Sequence, residues 1–167
     1  LTLPQSLTEI SASAFSGCSG LTSVILPRGL QKIDNYAFRD CTGLTGSLTL
    51  PQGLREIGDY AFDGCTGLTG ALTLPQGLTA LGQYAFSDCS GFAFLTLPDT
   101  LSVIGDDAFS GCDSLTGPLT LPQSLQEIGE SAFYGLSGLT GDLTIPDSVT
   151  SIGKNAFYNC SGFDGTL

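Results

Sequence analysis

The chain has 167 residues, 41% of them apolar, which is enough for a buried core and too many for a disordered segment. Sixteen acids against five bases leave a net charge of −11, the wrong sign for a nucleic-acid partner. There is no His, Trp or Met, so His-based triads and His-bearing zinc sites are excluded.

No apolar run approaches the ~18 residues of a membrane span, and no charged start followed by an apolar run marks a signal peptide. Pro4, Pro27, Pro51, Pro75, Pro98, Pro122 and Pro146 recur at intervals of 23 or 24 residues. Each closes a run such as Leu1-Thr2-Leu3 or Leu48-Thr49-Leu50. The alternation has period two, which predicts short strands with Thr outward. Proline ends each strand because it cannot donate to a ladder.

After the proline come two inward columns, one through Leu30, Leu54 and Leu78, the other through Ile33, Ile57 and Ile104. A glycine column follows (Gly58, Gly82, Gly105, Gly129, Gly153), which reads as a turn, glycine being the cheap choice wherever φ is positive. The next stretch, such as residues 59–65, has room for one or two helical turns with Ala61 and Phe62 inward. A second glycine column, including Gly43, Gly67 and Gly91, turns the chain back towards the next strand. No repeat can bury its large apolar side chains alone, so the copies must stack into a solenoid with parallel strands. The repeats fill residues 1–167 as one domain. The absent Met and the absence of polar caps predict a segment of a longer array, or one that self-associates through its ends.

The run Leu21-Thr22-Ser23-Val24-Ile25-Leu26-Pro27, continued to Ala37-Phe38-Arg39-Asp40-Cys41, resembles the BspA-like class of bacterial leucine-rich repeats. Four repeats depart from it by an extra residue before the strand, at Gly46-Ser47, Gly70-Ala71, Gly117-Pro118 and Gly141-Asp142. The expected fold class is α/β, a leucine-rich repeat solenoid of seven 23–24-residue repeats. The resemblance implies a parallel sheet on the concave face, with short helices or turns on the convex one. It further implies an extracellular or cell-surface protein acting in adhesion and protein binding, and it carries over no catalytic residue.

Six cysteines share one column, and the sixth repeat has Leu136 there. A slot that accepts Leu is an apolar one, which predicts buried free thiols rather than disulfides or a metal site. Two outward columns are candidate ligand contacts: Thr49, Thr73, Thr96 and Thr120, and beside them Gln52, Gln76 and Gln123. They could grip an extended peptide or a glycan, or Thr could simply suit an exposed strand. Tyr36, Tyr60 and Tyr84 form a third outward column, either an interface or rings packed on one another. Asp99, Asp106, Asp107 and Asp113 fall in one repeat without EF-hand spacing, and read as a solvated acidic face. The sequon Asn159-Cys160-Ser161 sits beside a core position and is discounted.

The functional expectation is a non-enzymatic adhesion module, with no cofactor or metal, no nucleic-acid partner and no membrane insertion of this segment. Its partner would be a protein or glycan on another cell or matrix. Structural alternatives are a filament or matrix joined through the solenoid ends and, more distantly, an ice- or crystal-binding Thr lattice.

Overall fold

The computed structural model describes residues 1–165, which coil into a parallel β-solenoid. Its strands, in chain order, are β1 (Glu9–Ile10), β2 (Lys32–Ile33), β3 (Glu56–Ile57), β4 (Gly70–Thr73), β5 (Ala80–Leu81) and β6 (Phe92–Thr96). There follow β7 (Val103–Ile104), β8 (Gly117–Pro118), β9 (Glu127–Ile128), β10 (Leu139–Thr140) and β11 (Ser151–Ile152). Seven of these pair in the order β1-β2-β3-β5-β7-β9-β11, one strand per rung. The continuous sheet therefore runs through the second inward column, with Ile10, Ile33, Ile57, Leu81, Ile104, Ile128 and Ile152 in register. Six of the seven are 0–2% exposed, and only Ile152 on β11 is open.

The Leu-Thr-Leu runs behave differently from the expectation. Of the strands only β4 and β6 pair through this segment, with Leu72 opposite Leu95 and Thr73 opposite Thr96, and the first two runs meet in a single bridge between Thr2 and Ile25. The inserted glycines Gly46, Gly70, Gly117 and Gly141 have φ between 79° and 85°. An extra residue on one strand puts its amides and carbonyls out of phase with the neighbouring rung. Pro118, the one proline outside the 23–24-residue register, also removes a donor. The face bearing the threonines is thus a broken ladder, and the main sheet lies elsewhere.

The expected helices are absent from the described residues. Between residues 34 and 41, alternate amides serve different partners. Tyr36, Phe38 and Asp40 donate to the carbonyls of Asp59, Ala61 and Asp63 on the next rung, at 2.7–2.8 Å. Ala37, Arg39 and Cys41 donate within the rung to residues three back, at 3.1–3.2 Å. Tyr36 and Asp40 adopt φ of 60° and 55°, which breaks the run of right-handed dihedrals that a helix requires. The glycine column beginning at Gly58 is not left-handed, and close approach is the reason for it. A Cβ on Gly82 would lie 2.6 Å from the Asp59 amide nitrogen.

The core follows these columns. Phe15, Phe38, Phe62, Phe86, Phe109, Phe133 and Phe157 stack ring on ring with centroids 5.2–6.1 Å apart. The widest step, Phe86 to Phe109, lies where Phe92 packs edge-on against Phe86 at 6.2 Å.

Candidate functional site

Thr49, Thr73, Thr96 and Thr120 are all exposed, as are Gln52, Gln76 and Gln123. They lie on the broken face, so they form short groups rather than one lattice. Gln76 is tied down, its Oε1 accepting the Asp99 amide at 3.2 Å. Where rungs fail to pair, shallow clefts open between them. One of about 240 Å³ is lined by residues including Thr49, Gln52, Ala71 and Thr73. Another, of about 320 Å³, is lined by Leu95, Thr96, Leu97, Asp99, Pro118, Thr120 and Pro122. A third, of about 160 Å³, shares Thr120 and adds Gln123, Asp142 and Thr144.

Phe94 stands on this face, 57% exposed, in a column otherwise filled by Ser23, Ser47, Ala71, Pro118 and Asp142. A regular strand would send Phe92 and Phe94 to the same side. Here Gly70 pairs with Phe92 and Ala71 with Phe94, so Ala93 is left over. The resulting bulge buries Phe92 completely and turns Phe94 out, the side-chain re-aiming that a bulge produces. Strict alternation conceals this outcome, yet the sequence did hold a signal, a Phe in a column of small or polar residues. Ile25, 63% exposed in the threonine column, is a second exception of that kind.

The tyrosine column is a packed ladder. Tyr36, Tyr60 and Tyr84 stack at 4.9 and 4.6 Å with nearly parallel planes, so the facing ring surfaces cover one another and the edges remain open. Arg39 lies 5.8 and 5.6 Å from the Tyr36 and Tyr60 centroids and pairs with Asp63 at 3.0 Å. A hydrogen bond with Asp107, with burial adding to it, pushes the Tyr84 phenol up to about 12. On the same turn face, three positions further along the repeat, Tyr134 and Tyr158 stack at 5.3 Å and are 40% and 53% exposed. Sequence reading missed this pair because it occupies only two rungs.

Of the four grouped acids, Asp107 raises the Tyr84 pKa, and Asp106 accepts the Glu130 amide at 2.7 Å. Among the described residues no three His, Cys, Asp or Glu side chains gather as a metal site. Among the described residues no helix is long and apolar enough to cross a membrane.

Residues 1–116 and 45–164 match the BspA type Leucine rich repeat region in six copies. The chain belongs to that family. Its members are generally non-enzymatic protein-interaction modules. A leucine-rich repeat protein of T. pallidum is 32% identical with a TM-score of 0.86, over 98% of this chain and 77% of that one. The pneumococcal vaccine antigen PcpA is 27% identical with a TM-score of 0.53, over 93% of this chain and 47% of that one. A Bacteroides ovatus leucine-rich repeat protein, at 24% identity and a TM-score of 0.58, shares the fold; the alignment covers 98% of this chain and 55% of that one. No curated protein sequence matches.

In this BspA-type coil the cysteine column has a polar task as well as an apolar one. Cys41, Cys65, Cys89, Cys112 and Cys160 each donate Sγ–H to a carbonyl one rung back, at 2.9–3.1 Å, the acceptors being Phe15, Phe38, Phe62, Phe86 and Phe133. Burial pushes Cys65 and Cys112 up to about 12, and Cys89 well above its ordinary value. All six cysteines are free. The expectation of buried thiols fails at Cys18, which is exposed, and is only half met at Cys160.

Proposed function

We propose that this chain is a non-enzymatic, extracellular or cell-surface interaction module that docks partner proteins on its threonine-bearing face, centred on Phe94. The observation that carries this reading is an aromatic ring turned outward by a bulge, on the face that also bears the clefts and the exposed threonines. Exposed aromatics ringed by polar groups are the usual anchors of protein interfaces. The surface location draws on likeness to the pneumococcal antigen. Thr73, Thr96, Thr120, Gln76 and Gln123 form the polar rim, and the tyrosine ladder serves stability rather than docking.

The test is an array of purified extracellular and matrix proteins probed with wild-type chain, Phe94→Ser and Tyr158→Ser. Signals lost in Phe94→Ser and kept in Tyr158→Ser support the face. Signals indifferent to Phe94, or lost only with Tyr158, overturn it.

A further inference from the structure

The clefts on the threonine face differ in charge. Those lined by Val24, Ile25 and Thr49 or by Thr49, Gln52 and Thr73 hold no charged side chain. The two that share Thr120 hold one carboxylate each, Asp99 in the first and Asp142 in the second. Both carboxylates are exposed, and no Lys or Arg occurs between Arg55 and Lys154. The surroundings therefore leave them without an ion-pair partner from this half of the chain.

Asp99 lies three residues after Thr96, and Asp142 two residues before Thr144. The carboxylates thus sit at opposite ends of neighbouring clefts. Asp99 lies beyond Pro98, and the rungs here pair out of column, with Pro118 opposite Thr140. A fully extended count of five residues at ~3.3 Å and two rungs at ~4.8 Å therefore sets an upper span of about 19 Å. An extended chain covers that distance in about six residues. Thr96, Pro118 and Thr120 line the clefts between the two carboxylates and are apolar or small enough to lie beneath an extended backbone. Exposed Phe94 stands two residues before Thr96 on the same strand.

We propose that these two clefts together hold an extended cationic segment of a partner protein, its two basic side chains about six residues apart and its intervening apolar residues packed over Pro118 and against Phe94. This inference rests on the docking-face reading above and adds the chemistry of the occupant. Two exposed ion pairs steer and orient the segment, and the apolar stretch supplies the burial.

Labelled peptide probes measured by fluorescence anisotropy at low salt test it. The first has two lysines six residues apart, separated by valine and proline. The second carries the same residues with its lysines adjacent, and the third has glutamates in place of the lysines. The spaced-lysine probe should bind about tenfold more tightly than the glutamate probe and about threefold more tightly than the adjacent-lysine probe. Asp99→Asn/Asp142→Asn should abolish that preference, with circular dichroism verifying the fold. A spaced-lysine probe no tighter than the glutamate probe, including no binding at all, overturns the proposal. So does a preference that survives in the double variant. If the protein array still depends on Phe94 while the probes show no charge preference, this inference falls and the docking face stands. If Phe94→Ser changes neither measurement, the docking face falls as well.

Discussion

A thiol is a weak donor, and a leucine can replace it, as Leu136 does. What the cysteine column adds is a second hydrogen bond for the phenylalanine carbonyl, which already accepts the amide of its own turn, as Phe38 does from Cys41. The consequences are chemical. Only the thiolate is nucleophilic, so the buried thiols should be nearly inert to a thiol reagent in the folded protein. Cys18 should react first, Cys160 more slowly, and all six in denaturant without reductant. Fewer than six in denaturant would mean disulfides. The same shifts fix a pH dependence. An unfolded thiol ionises near about 8.5, while folded Cys65 and Cys112 hold their protons to about 12. Below the lower value both states are protonated and the contribution to stability is intact. Between the two values the unfolded chain releases protons that the folded one keeps, so stability falls as pH rises, by at most about 1.4 kcal/mol per pH unit per thiol. Urea melts from pH 8 to 11 should show a shallower decline for Cys65→Val/Cys112→Val than for wild type.

At the scale of an element, the turn between Gly58 and Cys65 is held by neighbours more than by its own preferences. Tyrosine rarely adopts positive φ, yet Tyr36, Tyr60 and Tyr84 all do. Each is fixed by an amide donated to the next rung and by a ring stacked on its neighbour. Phe86→Ala removes a fully buried ring and should cost about 3–5 kcal/mol. Tyr84→Ala removes one stack while relieving none of the positive φ, and should cost about 1 kcal/mol. Equal losses in urea melts would mean that the inward and outward columns are misassigned. Gly82→Ala drives a methyl group into the rung behind and should cost about 1–3 kcal/mol by overpacking. The phenylalanine and isoleucine columns could be read from sequence because a buried position must be filled in every rung. The turns could not, because repetition reveals which residues share a place and not the dihedrals they adopt there. Phe94 was hidden for a related reason: its direction depends on how β4 pairs with β6, a property of two repeats together.

For the whole molecule, stability is a sum over rungs and the interfaces between them. The phenylalanine rings, the main sheet and the alternating turn amides join each rung to the next by like-for-like contacts, and the thiols do so except at the rung bearing Leu136. Removing an integral repeat should therefore rejoin every ladder, whereas removing a fraction should join none. Excising residues 52–75 brings Pro51 directly before Gln76, so that the Ile33 rung meets the Leu81 rung and Phe38 meets Phe86. The shortened chain should remain folded, with a smaller urea m-value and a lower midpoint, since m follows the surface exposed on unfolding. Excising residues 52–63 instead would follow Pro51 with Gly64 and Cys65, placing turn residues where the rungs behind and ahead present Leu30 and Leu78. That chain should lose cooperative unfolding altogether. If circular dichroism and urea melts found the two deletions equally folded, the contacts between rungs would be interchangeable in register. The ladders would then be a by-product of the repeat and not what holds the coil together.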